Sequence, residues 1–219
     1  MRSSSKWFGA ILISCVSVSV TGGVAQTVMV NRSFENGPEP GEAVALPPGS
    51  KAIEGWTIVN GDVSYVGTRW QHAQGVRSVG LPCGGGISQT LQTEPGQDYE
   101  LRFTMAGDPN AVPAVKTVVV SFGGEERAFT FDTSGHSLAN MGWSSRSYVF
   151  KAVRRSTALT FLSPKTECSV PAVDSVRVEA VQICVQALPD ARVGLFAACS
   201  LPRGLRSGSS EFGVARASN

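Results

Sequence analysis

The run Tyr99-Glu100-Leu101-Arg102-Phe103-Thr104-Met105 does most to limit what this chain can fold into. Apolar side chains hold the odd positions and polar ones the even positions. That period of two suits a strand with one buried face and one wet face. Val118, Val120 and Phe122 repeat it, as do Phe129 with Phe131 and Leu159 with Phe161. Turn chemistry separates the runs at Asn60-Gly61, Gly84-Gly85-Gly86, Pro95-Gly96 and Gly123-Gly124. About ten such runs fall between residue 27 and about residue 180, with no apolar stripe at helical spacing, and they predict an all-β sandwich. Composition agrees: 16% charged residues are too few for a coiled coil, and 42% hydrophobic residues too many for a disordered chain. The formal charge of +2, with no basic cluster, excludes an electrostatic nucleic-acid footprint.

Residues 1–26 read as a secretory signal. Arg2 and Lys6 supply the basic start, residues 7–20 are largely apolar, and Gly23-Val24-Ala25 sets small residues for cleavage near Ala25. The apolar stretch, roughly fourteen residues, is shorter than the ~20 of a spanning helix, so no membrane span is expected in the mature chain. Its removal leaves 17 basic residues against 17 acidic ones. The expected location is extracellular, in solution or at the cell surface. Export makes disulfides available to Cys83, Cys168, Cys184 and Cys199. Cys83 and Cys168 each sit in a Gly/Pro-rich loop just before a strand, which favours their pairing; the partners of the other two stay open. The sandwich is expected over 27–185. Residues 186–219 carry no strand period and read as an irregular, partly disordered tail.

Catalytic chemistry is hard to find. Gly135-His136-Ser137-Leu138-Ala139 has the spelling of a nucleophile elbow, but no helix follows it and no His lies beyond His136. Glu125 and Glu126 are sequence neighbours and would face opposite sides of a strand. No enzyme is expected. Asp174 stands apart, because it shares parity with Val176, Val178 and Ala180 and so places a carboxylate on the apparent inward face. Such a charge needs a partner or a metal. The segment Asn31-Arg32-Ser33-Phe34-Glu35-Asn36-Gly37 supplies hard oxygens of the kind calcium prefers, Glu35 and the Ser33 backbone among them. Either Glu35 and Asp174 clamp a calcium ion, or Asp174 caps a turn or pairs with an arginine such as Arg177.

Several strings together resemble a known family. Asn31-Arg32-Ser33-Phe34-Glu35-Asn36-Gly37 is similar to an N-G-S-F-E-x-G opening, and Leu46-Pro47-Pro48-Gly49-Ser50-Lys51-Ala52-Ile53-Glu54-Gly55-Trp56 follows as it does there. Gly86-Ile87-Ser88-Gln89-Thr90, Phe131-Asp132-Thr133-Ser134-Gly135-His136, Asn140-Met141-Gly142-Trp143 and Pro171-Ala172-Val173-Asp174-Ser175-Val176 keep the order. The stretch from 27 to about 180 resembles the bacterial choice-of-anchor C domain, itself similar to the plant cell-wall proteins of domain of unknown function 642. The resemblance implies a galactose-binding-like jelly roll related to carbohydrate-binding modules. It also implies a structural calcium held by Glu35 and Asp174. The tail departs from the sorting signal usual in the bacterial family, which favours simple secretion.

The expected function is therefore a non-catalytic module binding extracellular or cell-wall polysaccharide. Sugar rings want an aromatic platform beside hydrogen-bonding side chains. The candidates are Tyr65, Trp70 with Arg69 and Gln71, and Trp143. The rival reading is a surface or matrix domain with a protein partner and no sugar site.

Overall fold

The computed structural model describes residues 29–166, 168–181, 183–184 and 197–198. The expected signal and most of the tail lie outside the described residues. Among the described residues thirteen strands run in order: β1 Ala43–Leu46, β2 Thr57–Asn60, β3 Val63–Val66, β4 Ser78–Gly80, β5 Gly86–Gln92, β6 Asp98–Gly107 and β7 Val115–Phe122. They continue with β8 Glu125–Asp132, β9 Ser144–Lys151, β10 Ser156–Leu162, β11 Pro171–Ala180, β12 Ile183–Cys184 and β13 Ala197–Ala198. The last two form a two-residue ladder, so the tail is not wholly without strand pairing. Among the described residues no helix is long and apolar enough to cross a membrane.

Two antiparallel sheets make the sandwich, as the alternation predicts. One has the order β1-β3-β4-β11-β6-β9 and the other β2-β5-β10-β7-β8. The odd residues of β6 (Tyr99, Leu101, Phe103 and Met105) face inward and are buried. Val118, Val120 and Phe122 of β7 and Leu159 and Phe161 of β10 meet them from the other sheet. Phe103 meets Phe161 edge-on at 5.1 Å, the geometry that aromatic quadrupoles favour. Burying one such ring stabilises the fold by roughly 1.5–3 kcal/mol.

Lys116 takes the first inward position of β7 and is fully buried. Its ammonium donates to the carbonyls of Ala111 (2.5 Å) and Pro113 (2.6 Å), where it fastens the loop after β6. Burial lowers its pKa, and the Asp108 charge works against that shift. A Cys83–Cys168 disulfide joins the loop after β4 to the segment entering β11.

Asp174 is where the structure departs from the parity reading. Along β11, Asp174 pairs with Thr104 and Arg177 with Arg102, so three steps on one strand match two on the other. The extra residue is a β-bulge, and Ser175 holds a left-handed φ of 52° within it. Thr104 and Arg102 lie on the outer face of the sheet. Asp174 therefore faces outward as well, and its shared parity with Val176 comes from the inserted residue.

Candidate functional site

A groove of about 460 Å³ crosses the outer face of the six-stranded sheet. Its floor follows from strand order and alternation. The even residues Glu100, Arg102 and Thr104 come from β6, and Ser145 and Ser147 stand beside them on β9. Ser175 and Arg177 flank them on β11, and Gln74 forms one wall. Register puts Arg177, Arg102 and Ser147 in one row across three strands. Arg102 donates to Glu100 at 2.8 Å, and that bond raises its pKa. Arg177 makes no ion pair among the described residues. Arg146 reaches away from the groove, to the Ser144 hydroxyl and the Thr130 carbonyl.

The wall containing Gln74 is held by two acids. Asp174 Oδ2 accepts the N–H groups of Ala73 (3.0 Å) and Gln74 (2.9 Å), and Oδ1 accepts that of Ser175 (2.6 Å). Glu35 Oε1 accepts the N–H groups of Val76 and Arg77, both at 3.1 Å. Gly75 lies between these pairs at φ +65°, and a Cβ there would stand 2.2 Å from Glu35 Oε1. The opening segment reaches the bulge, where Val176 N–H donates to Arg32 O at 2.8 Å. The segment around Glu35 and the bulge of β11 thus come together. Asp174 lies wholly beneath the 73–77 loop; burial pushes its carboxyl up to about 7, the three N–H donors oppose this, and the Glu35 charge adds to it.

This arrangement does not fit calcium. The ion takes six to eight oxygens, whereas the loop turns amide hydrogens toward both carboxylates. No third His, Cys, Asp or Glu joins them among the described residues, and Ser33 is half-buried in the preceding turn. Millimolar calcium or a chelator is therefore expected to leave the melting temperature within about 1 °C, read by scanning fluorimetry. A shift of several degrees, about 1 kcal/mol for a domain this size, would show that the loop turns its carbonyls inward to take the ion.

Two of the aromatic candidates, Tyr65 and Trp70, are not on the surface. Tyr65 is fully buried and donates to the Phe34 carbonyl at 2.6 Å. Trp70 is also buried, its indole N–H on the Ser78 hydroxyl at 2.8 Å. Arg69 is paired with Asp108 at 2.9 Å. Gln71 links two loops, its side-chain oxygen accepting from Met141 N–H and its carbonyl from the Trp143 indole at 2.8 Å. Trp143 is half-buried against the core.

The model of the family described as "Protein of unknown function (DUF642)" matches residues 27–179. The chain belongs to the DUF642 family. No curated protein matches it. Among solved structures it is similar to TmCBM61 in complex with β-1,4-galactotriose, at 17% identity over 69% of this chain and 97% of that one (TM-score 0.40). It is also similar to a family 35 carbohydrate binding module from Clostridium thermocellum, at 18% identity over 62% and 96% (TM-score 0.42). A third is the CBM22-1 xylan-binding domain of Xyn10C from Paenibacillus barcinonensis, at 14% identity over 65% and 97% (TM-score 0.42). What these modules bind is a property of those proteins.

In this DUF642 domain the strings that carried the resemblance hold loops together. The Trp56 indole donates to Asn31 O at 3.1 Å, and Asn31 Nδ2 donates to Asn36 O at 2.8 Å. Sequence reasoning missed the groove residues Glu100, Arg102, Ser145, Ser147 and Arg177. For Glu100 and Arg102 the signal was the even parity of β6, which marked a wet face without saying what stood beside it.

Proposed function

We propose that this DUF642 domain is a secreted, non-catalytic module that binds polysaccharide in the groove across β11, β6 and β9. The observation that carries this is the groove floor, a set of guanidinium, carboxylate and hydroxyl groups on the central strands of a rigid sheet. Polysaccharide offers hydroxyls that both donate and accept, and such a floor answers them with donors and acceptors already in place. The hydroxyls of Ser145 and Ser147 make no hydrogen bond among the described residues, so ligand need not displace an internal partner. Among the described residues Glu100 is the only acid lining the groove, and it is committed to Arg102. Glycoside hydrolysis ordinarily uses two carboxyl groups, so the lining supports binding rather than cleavage. The disulfide supports export to an oxidising compartment. Kinship with the bacterial choice-of-anchor C domain belongs to the same proposal.

Affinity electrophoresis and calorimetry against soluble polysaccharides test this. Saturable binding is expected, lost in Ser147→Leu, which removes a hydroxyl and adds bulk to the floor while leaving the melting temperature unchanged. Failure to bind any glycan would overturn the reading and move the function to a protein partner at the surface.

A further inference from the structure

Resting on the groove as a glycan site, we propose that its ligand is an anionic polysaccharide, with a uronate carboxylate seated between Arg102 and Arg177.

The two arginines are direct partners across the β6–β11 pair and project from the same outer face. Like charges placed directly opposite each other in a sheet are unfavourable. Nothing in the packing of the fold asks for this juxtaposition, because both side chains are exposed. The compensation is one-sided. Glu100 pairs with Arg102 at 2.8 Å, while Arg177 has no carboxylate within ion-pair reach among the described residues. Arg177 thus remains a free cation beside a cation that is half-neutralised.

A planar carboxylate answers both. Guanidinium presents a fork of N–H donors that matches carboxylate geometry, and its charge-assisted hydrogen bonds are stronger than neutral ones. One acid group between the two arginines would pair Arg177 directly and relieve the repulsion across the strands. Ser147 extends the same row on β9, and Ser145 stands two residues away on that face. A uronate ring carries its hydroxyls beside its carboxylate, so row and neighbour can serve one sugar. The bond between Ser175 Oγ and Gln74 Oε1, at 3.2 Å, closes the groove at the bulge end. Among the described residues Arg102 and Arg177 are the arginines whose side chains face the groove, and the next row of the same face sets Glu100 opposite Glu179, so the pull on an anion comes from the unpaired Arg177 and not from a net positive lining.

The test measures binding of the full chain to four polymers: polygalacturonate, the same polymer with its carboxyls methyl-esterified, a neutral galactan, and dextran sulfate. Polygalacturonate is expected to bind best and to lose affinity on esterification and with rising salt. Arg177→Gln and Arg102→Gln should each weaken it about tenfold or more, with the melting temperature held, while the surface control Arg155→Gln changes nothing. Equal affinity for the neutral and acidic polymers would overturn the charge assignment and leave the glycan reading standing. Dextran sulfate binding as tightly as polygalacturonate would overturn the carboxylate assignment. Binding to none of the four would overturn the proposal together with the reading on which it rests.

Discussion

Replacing Trp70 by alanine is expected to destabilise the fold by about 3–5 kcal/mol, the usual cost of deleting a buried indole. The ring is buried, and its N–H is held by Ser78, whose hydroxyl also meets His72 Nδ1 at 3.0 Å. Gly80 lies against the ring, and a Cβ there would come within 2.9 Å of Trp70 Cη2. The alanine variant therefore leaves a cavity and strips the Ser78 hydroxyl of a donor. Urea unfolding measures the effect. Trp70→Phe keeps most of the volume and should recover more than half of the loss. A variant with normal stability that had lost only glycan binding would restore Trp70 as a surface platform and contradict the buried placement.

The misplacement of Trp70 shows which signals the sequence carried. Its polar neighbours Arg69 and Gln71 suggested exposure, yet Trp70 lies in the turn after β3, and that turn lays the ring against Ser78 and Gly80 of β4. Tyr65 differs in that it follows strand alternation beside Val63 on β3, where both are buried. Period two places Tyr65 in the core, as it places Leu101 and Phe103, but it says nothing of Trp70 in the turn after β3. Asp174 is the converse case, because one inserted residue at Ser175 reverses the face that parity assigns. A bulge leaves no periodic trace, so the outward direction of Asp174 was not legible. The groove stayed hidden for another reason. Its floor combines residues near 102, 146 and 176, and only the strand order β11-β6-β9 makes them neighbours.

Between pH 4 and pH 7 the stability of this domain is expected to fall as pH rises, and Asp174→Asn should remove much of that slope. The Asp174 carboxyl titrates at about 7 in the folded chain against 3.8 for the ordinary group, chiefly because burial penalises its charge. The folded state thus holds a proton that the unfolded state has released across this window. The stabilisation is complete below the unfolded pKa and is lost as pH rises through the folded one. One pKa unit corresponds to about 1.4 kcal/mol, so the whole shift is on the order of 4 kcal/mol. Asparagine cannot ionise, although its amide nitrogen would face an N–H donor of the loop and lower the baseline. The readout is therefore the difference in slope between the parent and the variant, both in chelator. That difference cancels the pH dependence contributed by the rest of the chain, which parent and variant share. Glu35→Gln removes the neighbouring charge and should flatten the parent's slope in part. Equal slopes in parent and Asp174→Asn would show that the carboxylate is ionised throughout the window. The loop amides alone would then hold it charged beneath the 73–77 turn, and the groove wall would not respond to neutral pH.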